Sequence, residues 1–320
     1  MVKITPDLLP LKGCVLTIGN FDGIHLGHVS LINETVRLAR EKGLPSLVLT
    51  FDTHPRNYFG KAGFKRVISY EEKERLVAEL GVDYYYAIEF GEIMDMRSAE
   101  FCESILIKRL GAVHAVCGFD FAFGSGGKSN AETLARLLRM HGAGCTVMPP
   151  VLTAEGEKVS STSLRQRIAL GDMVGARKLL GRPYSITAPV VKGEQLGRRL
   201  GFPTANQKLD KMLVVPAHGV YAAICTVEGR HWQAVVNVGT KPTVNGFREP
   251  LCESHLLDFE GDIYGKELKV QLFRALREER RFQGTEELRQ QIEKDKLVAR
   301  RYFETVGKKH ILRYAKETEI

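Results

Sequence analysis

Apolar and polar positions follow two rhythms along this chain, and the change falls near Gly181-Arg182-Pro183. Before it, short apolar runs alternate with longer stretches in which apolar residues recur every three or four positions. CVLTIG (14–19), SLVLTF (46–51), YYYAIEF (84–90), VHAVCG (113–118) and CTVMPP (145–150) read as buried strands. Residues 26–42, Glu71–Leu80, Ala99–Leu110 and Ala131–His141 read as helices between them. Strands alternating with helices predict a parallel sheet covered on both faces, a doubly wound α/β domain. Ligands of such sheets bind beyond the carboxyl ends of the strands. After the change, YSITAPVV, GVYAAICTV, WQAVVNVG and LKVQLF are short β-rich runs punctuated by Gly, Pro and Asn. No helix interrupts them, which predicts a small antiparallel barrel. A last amphipathic helix is expected over 285–303, with Thr285 as N-cap and Glu286–Glu287 in its first turn.

Length agrees with two domains, since 320 residues exceed the usual single core. The apolar share of 44% and charged share of 26% fit an ordinary globular protein. No apolar run is long enough to span a bilayer, and MVKITPDLLPLKG has no apolar signal-peptide core, so a cytoplasmic protein is expected. None of the six cysteines forms a C-x-x-C pair, which points to buried free thiols. The net charge of +8 suits a polyanionic ligand. Its positive charges are scattered apart from Arg274–Arg281 and Lys308–Lys309, so charge alone does not separate ATP from RNA.

Two segments carry candidate chemistry in the first half. In TIGNFDGIHLGH a strand ends at Gly19, a loop follows, and a helix begins near Leu26. His25 and His28 are spaced to share one face, and Gly27 lets a ligand approach the backbone. Free N–H groups and the positive dipole end favour phosphate there, and imidazoles can donate to phosphate oxygens as charge builds. The alternative is a histidine pair that only caps a helix. Ser160, Ser161 and Thr162 precede a second helix that carries Arg165 and Arg167, again a phosphate-compatible start or an ordinary cap.

The second half carries GEQLGRRLGFPTAN (193–206). Phosphate could lie along the Gly197 and Gly201 backbone. Thr204 and Asn206 offer hard oxygens of the kind Mg²⁺ accepts beside phosphate. A plain hairpin turn is the alternative. Glu253 lies in an alternating run with Leu251, His255 and Leu257, so it shares their face.

GNFDGIHLGH (19–28), LTFDTHP (49–55), GFDFAFG (118–124) and SSTSLR (160–165) resemble, in order, the adenylyltransferase module of bacterial FAD synthetases, within the nucleotidyltransferase superfamily. GEQLGRRLGFPTAN, HGVYAA (218–223), VNVGTKPTV (236–244), LCESHLLDFEGDIYG (251–265) and LREERRFQGTEELRQQIEKD (276–295) resemble the riboflavin kinase signature. The resemblance covers roughly residues 10–305. It implies an adenylyltransferase domain at 1–183 and a six-stranded barrel kinase domain with a C-terminal helix at 184–320.

By the same resemblance, His25 and His28 bind the ATP phosphates and the transition state, together with Gly19, Asn20, Phe21 and Gly27. Ser161, Thr162 and Arg165 form a second phosphate-contacting loop, and His54 and Asp120 sit beside the nucleotide or flavin. In the kinase half, Gly193, Gly197, Gly201, Thr204 and Asn206 handle ATP, with Thr204 and Asn206 on Mg²⁺. Glu253 is the general base for the ribityl 5′-hydroxyl. The implied function is phosphorylation of riboflavin to FMN, then adenylyl transfer from ATP to FMN, giving FAD and pyrophosphate. ATP, riboflavin, FMN and FAD are substrates or products and Mg²⁺ is the cofactor. A monomer or weak homo-oligomer is expected, with no nucleic-acid or membrane partner. Two departures stand out: Thr53 replaces the family's usual proline, and Ser129-Asn130 stands where Gly-Asp or Gly-Asn is common. A nucleotidyltransferase with an RNA acceptor and a non-catalytic flavin-binding protein are the rival readings. The PTAN and Glu253 motifs, and the lack of an aromatic stacking pattern, weigh against the first. Intact His25, His28, Thr204, Asn206 and Glu253 weigh against the second.

Overall fold

The strand-helix rhythm of the first half folds as a six-stranded parallel sheet. In the computed structural model, which describes residues 1–60, 63–193, 197, 200–242 and 248–306, its strands are β1 (Val2–Lys3), β2 (Cys14–Ile18), β3 (Ser46–Phe51), β4 (Tyr84–Ile88), β5 (Ala112–Gly118) and, after a small β6–β7 hairpin (Ala122–Phe123, Ser129–Asn130), β8 (Gly144–Met148). Their order is β1-β4-β3-β2-β5-β8. The order reverses between β2 and β5, so the ligand crevice of a doubly wound sheet opens beyond these two strands. β2 is buried throughout, as a central parallel strand covered on both faces must be. Leu16, Leu47, Leu49, Ile105 and Leu106 fill the core of this sheet at zero exposure.

Strand ends fall slightly short of the apolar runs. YYYAIEF stops pairing at Ile88 because Phe90 opens a short helix, Phe90–Ile93. The helix expected over Ala99–Leu110 begins as a turn at Ser98–Glu100 and continues as a wider π-helix over Phe101–Arg109. Its buried positions, 101, 102, 105, 106 and 110, recur at four-to-five-residue spacing, which an i→i+5 turn keeps over the sheet. The Ser129-Asn130 departure has a local role. Ser129 and Asn130 pair with Phe123 and Ala122, and Asn130 caps the helix Ala131–Met140 by accepting from Thr133 N at 3.0 Å.

The chain divides into two compact units, Met1–Ser161 and Thr162–Ile320. The second begins inside the helix Ser161–Ala169, continues through the helix Met173–Leu180, and builds an antiparallel sheet. Its strands are β9 (Tyr184–Pro189), β10 (Ala205–Lys208), β11 (Gly219–Val227), β12 (Arg230–Pro242), β13 (Arg248–Leu256) and β14 (Glu267–Glu278), in the order β10-β13-β12-β11-β14-β9. The two ends of the sheet approach one another. Val191 bridges to Asn206, donating to its carbonyl at 2.7 Å, and buried Gln207 donates to Ala188 O and Leu268 O. The sheet is therefore nearly a barrel.

The closing helix, Thr285–Val306, lays Ala299 and Phe303 against Val220 and Phe273. Arg277 of β14 holds buried Asp295 of that helix with Nε and a terminal nitrogen, at 3.0 and 2.9 Å to Oδ2. Thr285 is not its N-cap. The first helical bond runs from Leu288 N to Gly284 O, and Glu287 reaches back to Gln283 N at 2.9 Å. Among the described residues no helix is long and apolar enough to cross a membrane. All six cysteines are free thiols. Residues 194–196 and 198–199 of the glycine-rich stretch, 243–244 of VNVGTKPTV, and Lys308–Lys309 lie outside the described residues.

Candidate active sites

The first site is the turn between β2 and the helix Leu26–Lys42. Its backbone is held in an uncommon state: Phe21, Gly23 and Ile24 have φ of 50°, 89° and 41°. A β-branched residue at positive φ is an outlier that the surrounding structure must enforce. Phe21 is fully buried, Asp22 Oδ1 accepts from Val67 N at 2.9 Å, and Ser161 Oγ donates to the Asp22 carbonyl at 2.8 Å. The left-handed residues curl the loop back on itself, with Ile24 N donating to Phe21 O at 3.4 Å, and so deliver His25 to the head of the helix.

His25 is the N-cap of the helix, and its Nδ1 accepts from His28 N at 3.3 Å. With Nδ1 used as acceptor, the proton of the neutral ring sits on Nε2. The two imidazoles stack, centroids 3.6 Å apart and planes 17° from parallel, and Phe21 meets His28 edge-on at 5.2 Å. His25 therefore both caps the helix and lies against His28. Gly27 has a further role: a Cβ there would lie 3.1–3.2 Å from the His25 ring.

Asp120 and His54 follow the carboxyl ends of β5 and β3. Asp120 follows β5 across the reversal point from His25 and pairs with Lys158 at 2.9 Å. His54 caps the short helix Pro55–Tyr58, packs against Phe64 with ring centroids 4.3 Å apart and planes tilted by 31°, and donates from its main chain to Tyr70 Oη. Thr53 supplies an N–H that a proline would lack, and it goes to Asp52 Oδ1. Ser161, Thr162 and Arg165 share one helix, with Arg165 four and three residues beyond the other two, so the three lie on one face.

The second site is where β10, β13 and β12 run side by side. Glu253 pairs in register with Asn206 on one side and with Asn237 on the other. Directly opposed residues share a sheet face, so the three side chains form one polar row. Asn206 is 5% exposed. Its Nδ2 donates to Thr204 O at 3.2 Å, while its Oδ1 is buried with no donor among the described residues. An unsatisfied buried oxygen is costly, and a cation beside it would remove that cost. The neighbouring donors are the Thr204 hydroxyl and main-chain oxygens, hard ligands suited to Mg²⁺, so the residues fit that ion.

Glycine is required around this row. A Cβ at Gly193 would lie 2.7–2.8 Å from the Asn206 amide, and one at Gly197 would lie 2.4 Å from Phe202 O. Gly201, at φ 87°, completes the turn into Phe202 and Pro203. His255 bonds through Nδ1 to Pro203 O at 2.9 Å and so holds the segment entering Thr204. Burial pushes its pKa below the usual histidine value, with nearby Lys296 acting in the same direction and the Pro203 bond opposing it. Beside the row opens a cavity of about 420 Å³, walled by Thr204, Asn206, Phe259 and Tyr264 among others.

Asn237 and the Phe259–Tyr264 wall were not singled out from sequence. Their only signal was membership of VNVGTKPTV and LCESHLLDFEGDIYG.

Comparison with known proteins separates the two sites. A family model described as FAD synthetase matches residues 9–163, and one described as riboflavin kinase matches residues 180–303. The chain is 38% identical over 299 residues to the bifunctional riboflavin kinase/FMN adenylyltransferase of Bacillus subtilis, covering 92% of this chain and 94% of the relative. It is 39% identical over 298 residues to the protein of the same name from Escherichia coli K12, with the same coverage. Among solved structures, a Streptococcus pneumoniae chain carrying the name macrolide-efflux protein superposes with a TM-score of 0.83 at 32% identity. The match covers 93% of this chain and 98% of that one.

Proposed function

This chain belongs to the bifunctional riboflavin kinase/FMN adenylyltransferases, and from that premise we propose which residues perform each of its two reactions. It phosphorylates riboflavin to FMN and adenylylates FMN to FAD. One observation carries the site assignment: the histidine-capped turn and the Asn206–Glu253–Asn237 row lie in separate compact units. We take the functional modules to be 1–183 and 184–320. This keeps the SSTSLR segment with the turn that Ser161 bonds.

In the adenylyltransferase module a phosphate oxygen of FMN attacks the α-phosphorus of ATP. The new P–O bond forms as the bond to pyrophosphate breaks. Negative charge spreads over the α-phosphate oxygens and the leaving group. His25 Nε2–H and the His28 ring at the helix start receive that charge, with Ser161 bonded to the same turn. His54 and Asp120 flank the acceptor and nucleotide.

In the kinase module the ribityl 5′-hydroxyl attacks the γ-phosphorus of a second ATP. Glu253 accepts the hydroxyl proton as the bond forms. The 420 Å³ cavity takes the nucleotide, with the Gly193, Gly197 and Gly201 backbone along its phosphates. Thr204 and Asn206 hold Mg²⁺. The ion when bound neutralises phosphate charge and polarises the transferring group.

We place the enzyme in the cytoplasm, where six free thiols persist. We expect a monomer or weak homo-oligomer without nucleic-acid or membrane partners. The test is separation of flavins after incubation with riboflavin, ATP and Mg²⁺. FMN should appear first and FAD after it, and neither should form when Mg²⁺ is chelated. Turnover that persists under chelation would remove Mg²⁺ and its assigned ligands.

A further inference from the structure

Lys73 belongs to none of the motifs above. It lies in the helix Tyr70–Glu79, is 4% exposed, and reaches beneath the histidine-capped turn. Its Nζ donates to the Thr50 hydroxyl at 3.0 Å, the Asn20 carbonyl at 3.4 Å and the Phe51 carbonyl at 3.5 Å. Thr50 Oγ1 also donates to Asn20 O at 3.4 Å. An ammonium has three N–H donors. Here all three go to groups at the carboxyl ends of the two strands that flank the acceptor side, β2 and β3. Asn20 is the residue just before the left-handed run at Phe21, Gly23 and Ile24.

A buried ammonium is unfavourable unless its surroundings compensate it, and an apolar side chain would fill the space without that cost. The compensation comes from two carbonyls and a hydroxyl, with the Tyr70 ring 5.2 Å away. Asp22 and Asp52 attract the charge and Arg66 opposes it, while His54 lines the same cavity. That cavity holds about 10 Å³, room for roughly one water. Lys73 therefore faces structure, not a space of substrate size.

We propose that Lys73 is a positioning residue for adenylyl transfer: its charged form ties Asn20 to the end of β3 and thereby keeps the 21–24 loop in the conformation that delivers His25 to the head of its helix beside the nucleotide phosphate. The inference rests on the assignment of 19–28 as the phosphate site. Burial brings the Lys73 pKa down to about 8. Below that pH the ammonium is present and the tie is complete. As pH rises through it, one donor and the attraction of Asp22 are lost. FAD formation should fall on this alkaline limb, while riboflavin phosphorylation by the other module should not share it.

The full-length enzyme tests this, with FMN and FAD formation read separately on the same polypeptide. Lys73→Met is expected to lower kcat for FMN adenylylation about 100-fold, the scale of a misplaced catalytic frame. KM for FMN and ATP should stay nearly unchanged, riboflavin phosphorylation should hold, and the residual activity should lose the alkaline limb. Wild-type kcat in Lys73→Met overturns the inference. So does a raised KM for FMN with kcat intact, which would make Lys73 an acceptor ligand, and so does residual activity that keeps the limb. The wild-type pH profile needs no variant: FAD formation that stays level from below to above pH 8 also overturns it. His28→Ala is the reference. Adenylylation lost there but not in Lys73→Met sinks this inference alone, whereas adenylylation unchanged in His28→Ala sinks the site assignment beneath it.

Discussion

The turn at 19–28 and the segment 193–206 are both proposed to meet nucleotide phosphate, yet the chain equips them differently. The first is rich in donors: two stacked imidazoles at a helix start. The second offers acceptors: the Thr204 hydroxyl, a buried Asn206 Oδ1 without a donor among the described residues, and Glu253 beside it. A donor-rich turn stabilises phosphate charge directly. An acceptor-rich turn repels phosphate unless a cation stands between them. The difference fits the two acceptors. FMN attacks with an oxygen that is already anionic and needs no base, whereas the riboflavin hydroxyl must lose a proton, the work proposed for Glu253.

The strongest way to break this comparison is a crossed pair of variants. His28→Ala should cut FAD formation at least about 100-fold while FMN accumulates, because a donor to developing charge is gone. Glu253→Ala should cut FMN formation by about 100-fold or more and still adenylylate supplied FMN. Product separation reads both. If either variant, folded, lost both reactions, the two-site division would fail. A smaller effect is expected at Asn206. Asn206→Ala removes the orphaned oxygen and should lower riboflavin kinase activity roughly 10- to 100-fold, by analogy with disrupted metal shells. Raised Mg²⁺ should restore part of the loss, and adenylylation of FMN should be untouched. A loss that Mg²⁺ titration does not move would count against a metal role.

Sequence rhythm was informative where one rule governed the segment. Helix Leu26–Lys42 and strands Ser46–Phe51 and Gly219–Val227 coincide with their apolar patterns, because burial on one stripe or one run decides them. The π-helix at Phe101–Arg109 was read as an ordinary helix, since its four-to-five-residue spacing resembles the α pattern. Ala205–Lys208 lies in none of the apolar runs read as strands, yet register against β13 makes it one. The candidate site residues were named from motifs that run along the chain. Asn237 and Lys73 were not, because what distinguishes them is a neighbour far away in sequence: Glu253 for one, Asn20 for the other. Pairing register and burial are properties of the fold, and neither leaves a local mark.

Glycine gives the finest comparison of the two turns. A Cβ at Gly193 would fall 2.7–2.8 Å from the Asn206 amide, inside any tolerable contact, and Asn206 is buried with little room to retreat. At Gly27 the added atom would meet the His25 ring at 3.1–3.2 Å, which a shift of a few tenths of an ångström relieves. Neither glycine has positive φ, so backbone strain does not enter and the two substitutions differ only in what they push. Gly193→Ala should lower kinase activity roughly tenfold by displacing Asn206, since misplacement by about an ångström costs on the order of 100-fold. Gly27→Ala should lower adenylylation by only about threefold on the same scale. Steady-state rates of each half-reaction decide it, with the other half as internal control. If Gly27→Ala proved the more damaging of the two, the His25 ring would be held more tightly than its stacking on His28 implies. Close approach of the ligand to the Gly27 backbone would then be the reason for glycine at that position.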